Sequence, residues 1–198
     1  MNQNYQNWFD DKGDTTLRLN YPLTKDSIVF DVGGYEGSFV EKINEKYGCY
    51  IYVFEPIPSY FLAIQAKFKA YPNIVVINAA IAEINGKSIM KVYGDKTGFF
   101  AEKGKPVVVN CITLDQAMID LGVQEIDLLK LNIEGAEYTV LDYMIKKNLV
   151  EKCNDIQVQF HTCFPNYRYC YDVIKKDLLK THIITYEYSY VWENYQRK

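Results

Sequence analysis

The chain has 198 residues, 48% of them hydrophobic and 24% charged, with a formal net charge of −3. That length and balance fit one folded domain with its own core and exclude disordered, collagenous and fibrous classes. The negative charge builds no basic field for nucleic acid or an anionic membrane surface, and no apolar run approaches a membrane span, so a soluble cytoplasmic protein is expected.

Residues 1–26 are polar with scattered apolar positions. They read as an arm or short hairpin ahead of a single domain over 27–198, and they hold no apolar stretch of the kind a signal peptide needs. Residues 27–32 are an apolar run containing Asp31. The run passes through Gly33, Gly34 and Gly37 into a helix that turns Phe39, Val40 and Ile43 inward. Residues 50–54 form a second strand, closed by Glu55 and Pro56. Ser59 is the expected N-cap of a helix through Ala70. Residues 73–78 read as a third strand. Asn85-Gly86 is a strong turn signal, so 81–93 are expected to fold as a hairpin.

Residues 95–105 are rich in Gly and Lys and are expected to be mobile, whereas 106–112 are β-branched and strand-like. A helix over 115–121, a buried strand over 126–133 and a helix over 135–147 follow, the last with Val140, Leu141 and Met144 inward. A strand over 155–160 ends at His161. In the tail, His182, Ile184, Tyr186, Tyr188, Tyr190 and Trp192 alternate onto one face, which predicts one antiparallel strand added late. The alternation of strands and helices predicts an α/β fold: a mostly parallel open sheet with helices on both faces and an antiparallel C-terminal edge. Such sheets bind ligands at the carboxyl ends of their strands.

The five cysteines form no CxxC pair and only two histidines are present, so neither a disulfide framework nor a metal centre is expected. The glycine loop at 31–37 has no Lys after its last Gly, which excludes a Walker A phosphate loop. Asp31 and Glu36 stand where a dinucleotide fingerprint would need small residues, and two carboxylates beside a pyrophosphate are unfavourable. The spacing DxGxxxG fits S-adenosylmethionine, a cationic cofactor without phosphate. Asp31, Gly33, Gly34 and Gly37 are then expected at the cofactor, with Glu55 accepting hydrogen bonds from the ribose hydroxyls.

Several segments taken together, Phe30-Asp31-Val32-Gly33-Gly34-Tyr35-Glu36-Gly37, Val53-Phe54-Glu55-Pro56, Thr113-Leu114-Asp115 and Leu129-Lys130-Leu131-Asn132-Ile133-Glu134-Gly135-Ala136-Glu137, resemble the FkbM family of S-adenosylmethionine-dependent methyltransferases. The resemblance runs from about residue 27 to residue 161. It implies a Rossmann-like class I methyltransferase fold and O-methylation, commonly of sugar hydroxyls. The family usually has Asp where this chain has Asn132, and Glu where it has Gln159.

Methyl transfer to a hydroxyl profits from alignment and from a general base. His161, at a strand's carboxyl end, is the first candidate. Gln159 lies on the same strand face and, as an amide, leaves the imidazole neutral near pH 7. Glu134, between a buried strand and a helix, is the second. Glu137 reads as a helix-start charge, and Asn132 as a holder of a substrate hydroxyl or of the cofactor's methionine end. Gln159, Tyr167 and Arg168 are assigned to the acceptor, with Arg168 facing an anionic group. An alternative reading, motivated by Asn132 and Gln159, is a cofactor-binding protein that has lost catalysis. An NAD-dependent oxidoreductase is the less favoured third.

Overall fold

The alternating pattern folds around one twisted sheet. The structure, a computed structural model, describes residues 3–94 and 97–198. After an N-terminal helix α1 (Gln3–Asp10), the chain runs β1 (Ile28–Val32), α2 (Ser38–Tyr47), β2 (Tyr50–Phe54), α3 (Pro58–Lys67) and β3 (Ile74–Ile77). Three strands follow: β4 (Ala80–Ile81), β5 (Gly86–Val92) and β6 (Lys105–Ile112). Then come α4 (Leu114–Leu121), β7 (Ile126–Leu131), α5 (Glu137–Lys146), β8 (Cys153–Val158), α6 (Tyr167–Leu178), β9 (His182–Tyr188) and β10 (Trp192–Arg197).

Among the described residues, seven strands pair in the order β3-β2-β1-β7-β8-β10-β9. Every neighbour is parallel from β3 to β8, while β10 runs antiparallel to both β8 and β9. The order reverses between β1 and β7, which opens a crevice at their carboxyl ends. Both strands are nearly continuous apolar runs because helices cover both sheet faces. Alternation divides β7 between two cores. Leu128 packs with Val40, Ile43 and Ile64 of α2 and α3; Leu129 and Leu131 pack with Tyr138, Leu141 and Met144 of α5 and with Ile174 and Leu178 of α6.

The structure departs from the sequence pattern in five places. The N-terminal arm is helical rather than a hairpin, and Trp8 is buried against Tyr186 and Tyr188, with centroids 6.0 and 5.1 Å away. Ser59 does not cap α3: the N-cap is Ile57 without a side-chain bond, and Pro58 opens the first turn, where its missing N–H costs nothing. The Asn85-Gly86 signal does not close a hairpin. β4 pairs parallel with β6, and β5 pairs antiparallel with β6, while Asn85 Oδ1 instead accepts the Thr113 N–H at 2.9 Å. The alternating tail is two strands, broken by a turn at Ser189 and Tyr190, with β10 inserted between β8 and β9. Helix α6 has no counterpart in the sequence reading, although Tyr171, Ile174 and Leu178 carry its buried face. Of the segment expected to be mobile, Asp95 and Lys96 lie outside the described residues; after them Gly98 pairs with Lys91 in an isolated bridge and Phe100 packs edge-on against Phe164 at 4.9 Å.

Candidate active site

At the end of β1 the backbone turns sharply across the end of β7. Gly33 adopts φ +89°, and a Cβ there would stand 2.1 Å from the Asn132 carbonyl oxygen, so only glycine permits the crossing. Lys130 of β7 fixes this turn. Its Nζ donates to the Gly33 carbonyl at 2.8 Å and lies 2.7 Å from Asp31 Oδ1. Asp31 and Lys130 are register partners in neighbouring strands, so their side chains share a face, and both are buried. Burial pushes the Lys130 pKa down, against the pull of the Asp31 charge.

This geometry sets three of the residues expected at the cofactor, Asp31, Gly34 and Gly37, apart from the crevice lining. Asp31 does not line the crevice; it is fully buried in the ion pair and acts on the glycine turn through Lys130. Gly34 and Gly37 face the sheet and α3 rather than the crevice. A Cβ at Gly34 would meet Val53 Cγ1 at 2.5 Å, and one at Gly37 would meet Phe68 at 2.7 Å.

Gly33, Glu55 and Asn132 do line a cavity of about 390 Å³ at the carboxyl edge, together with Tyr35, Gln159, Glu134 and His161. The Glu55 carboxylate accepts the backbone N–H groups of Tyr35 (2.9 Å) and Ile57 (2.8 Å), which aims it into the cavity mouth. Burial drives its pKa up to about 7, partly countered by those two bonds. Asn132 Oδ1 is buried with no hydrogen-bond partner among the described residues. A bare glycine backbone, a carboxylate with free lone pairs and an unsatisfied amide oxygen form an acceptor-rich pocket. It suits a ligand carrying hydroxyls and an ammonium group.

The opposite wall is a three-residue array. His161 Nε2 lies 3.1 Å from Glu134 Oε1, and Nδ1 lies 3.1 Å from Glu137 Oε1. Glu137, fully buried at the first turn of α5, also accepts the His161 N–H at 2.6 Å and the Gly135 N–H at 2.9 Å. Burial alone would lower the His161 pKa. Hydrogen bonds to Glu134 and Glu137, and their charges, outweigh it and raise the value to about 10. The neutral imidazole expected beside Gln159 does not suit these surroundings: both ring nitrogens face carboxylate oxygens, which favour the protonated ring. Glu134, a non-glycine at φ +52°, lines the cavity beside His161, and its strained backbone marks it as a constrained position.

Tyr167 and Arg168, in the first turn of α6, lie apart from this wall and line a neighbouring cavity. That cavity shares Tyr5, Gln159 and His161 with the first. The sequence reading missed Lys130 and the clamping role of Glu137. Lys130 did leave a signal, a lone cation in a buried strand that needs a buried anion, and Asp31 is the lone anion of the neighbouring apolar run. Glu137 left none, because a glutamate at a helix start is ordinary.

The family model described as Methyltransferase FkbM domain matches residues 31–194. No curated protein matches the chain significantly. Among solved structures, M. capricolum TrmK in complex with S-adenosylhomocysteine is similar at TM-score 0.53 and 10% identity, over 93% of this chain and 68% of that one. The Methanococcus jannaschii fibrillarin pre-rRNA processing protein is similar at TM-score 0.52 and 13% identity, over 90% and 69%. The Geobacter metallireducens precorrin-6y C5,15-methyltransferase is similar at TM-score 0.50 and 13% identity, over 88% and 72%. At such identities the likeness is one of fold, and the acceptors these names specify differ widely.

Proposed function

This chain belongs to the FkbM family of S-adenosylmethionine-dependent methyltransferases, and from that premise we propose that it methylates a hydroxyl group of a saccharide or of a sugar-containing small molecule. The observation that carries the reading is the Glu134–His161–Glu137 array, in which Glu134 lines the first cavity and His161 lines both. A sugar hydroxyl is a weak acid and needs a group to take its proton, which is what an ionised carboxylate facing the cavity supplies. With both imidazole nitrogens committed to carboxylates, Glu134 is the proton acceptor, and His161 holds it in place and balances its charge.

The first cavity is assigned to the cofactor, which supplies an electrophilic methyl group on a sulfonium. Glu55 receives the ribose hydroxyls, Asn132 Oδ1 the ammonium end, and Gly33 the close backbone approach. Because the Glu55 carboxyl ionises near pH 7, cofactor affinity is expected to weaken as pH falls below about 7 and the acceptor lone pairs are protonated. Calorimetry with S-adenosylhomocysteine at pH 6 and pH 8 checks this. Glu55→Gln should flatten the dependence and cost on the order of 1–3 kcal/mol at pH 8. Affinity that is flat in the wild-type protein would remove Glu55 from the ribose.

No divalent metal is assigned to the reaction. Turnover is expected to survive EDTA, and activity lost to EDTA but restored by Mg²⁺ or Mn²⁺ would contradict that.

The acceptor itself is identified by incubating the protein with S-adenosylmethionine and a panel of sugar nucleotides, glycosides and oligosaccharides. S-adenosylhomocysteine release and a methylated product in the mass spectrum are the readouts. Methylation of an amine or of RNA, with every saccharide left untouched, would overturn the reading.

A further inference from the structure

The second cavity, about 460 Å³, adjoins the first across Gln159 and His161. Its walls also draw on three distant parts of the chain: Tyr5 of α1, which lines both cavities, Tyr167 and Arg168 of α6, and Tyr190 in the turn between β9 and β10. Each is held in place by packing elsewhere. The buried Trp8 docks α1 on β9. Tyr190 sits at φ +63°, a costly conformation for a tyrosine, and its ring meets Tyr167 edge-on at 5.5 Å and Tyr171 at 5.1 Å. A tyrosine-walled cleft offers apolar ring faces with polar tips, the surface that suits a sugar or a base.

The charge of the cleft is one-sided. Its lining holds His161 and Arg168 and no Asp or Glu. Glu134 and Glu137 already answer His161. Arg168 has no carboxylate partner among the described residues, and its side chain makes one hydrogen bond, from Nε to the Tyr167 hydroxyl at 3.2 Å. The other two arginines are both ion-paired, Arg18 with Asp14 and Arg197 with Glu125. In a chain of net charge −3, an arginine left open beside an aromatic cleft is a ready partner for an anion.

We propose that this cleft is the acceptor site and that it takes an anionic glycoside, its ring between Tyr5, Tyr167 and Tyr190 and its phosphate or carboxylate on Arg168. The inference rests on the methyltransferase reading above and adds the class of acceptor to it. The bound ring lies next to the Gln159 and His161 wall, which this cleft shares with the cavity that Glu134 lines.

The test is calorimetry on the protein saturated with S-adenosylhomocysteine, using glucose 1-phosphate, methyl glucuronide, methyl glucoside and a short RNA oligonucleotide as probes. An anionic sugar is expected to bind and the neutral glucoside to bind at least tenfold more weakly. The phosphate and the glucuronide report separately which anion Arg168 prefers. Arg168→Gln should weaken the anionic probe about 10- to 100-fold while leaving S-adenosylhomocysteine affinity unchanged, which also shows that the variant is folded. Equal binding of the neutral glucoside, an Arg168→Gln variant with unaltered affinity, failure of both anionic sugars to bind, or preferential binding of the RNA would each overturn the proposal. Failure of S-adenosylhomocysteine itself to bind would instead overturn the cofactor assignment beneath it.

Discussion

Replacing Glu134 by Gln will lower methyl-transfer turnover by about 100- to 10,000-fold, the range for loss of a positioned general base, with cofactor affinity nearly unchanged. The amide keeps the size of the side chain and an oxygen that can still accept the His161 Nε2 hydrogen bond, 3.1 Å long in the wild-type protein. What it loses is the ability to hold the hydroxyl proton. Turnover with an identified acceptor is the measurement, and a variant retaining more than a tenth of it would remove Glu134 from the chemistry.

The pH profile separates Glu134 from His161 as the base. A neutral imidazole acting alone would give a rate that climbs through an apparent pKa near its ordinary ~6.5. An imidazolium clamped with a pKa of about 10 gives no such limb; activity instead declines as pH passes that value and the clamp loses its charge. Stability follows the same sign. The folded-state pKa lies above that of the unfolded chain, so the stabilisation from His161 is fully present below about 6.5 and is lost as pH rises through about 10. His161→Ala should abolish that pH dependence in chemical denaturation.

The second large effect concerns Lys130. Lys130→Met is expected to destabilise the fold by about 3–5 kcal/mol, because it leaves the Asp31 carboxylate buried without its counter-ion. Asp31 is fully buried and Asp31 Oδ2 has no partner among the described residues, so nothing else offsets its charge. The same substitution frees the Gly33 carbonyl, so cofactor affinity should fall along with stability. The double variant Asp31→Asn with Lys130→Met removes both charges and should recover a large part of the lost stability, since a buried ion pair is often little better than a neutral replacement. Urea denaturation of the three proteins checks this. A single variant as stable as wild type would mean that the pair does not hold the turn.

The fold class, the family and its cofactor were legible in the linear chain. Those follow from local signals. Apolar runs ending in Gly33 and Glu55 mark parallel strands with their carboxyl ends on one edge, and a Gly-rich turn without a lysine, with carboxylates at 31 and 36, selects a cationic ligand over a phosphate. The string from Leu129 to Glu137 carried the family.

What each charge does emerges from the packing of distant segments. Asp31 and Lys130 lie 99 residues apart by sequence number and become partners only through the register of β1 and β7, which turns a presumed cofactor contact into a buried support. The protonation of His161 depends on two glutamates brought to it by the turn into α5, and no reading of its own strand contains them. The proposed acceptor cleft joins Tyr5, Arg168 and Tyr190, and the helix carrying Tyr5 is held by Trp8 against β9, a contact between distant parts of the chain. Periodicity reports which face of an element is buried; it says nothing about which distant side chain will share that face. Ionisation is set by those distant neighbours and by burial, so the chemistry of the site becomes readable only once the strands are in register.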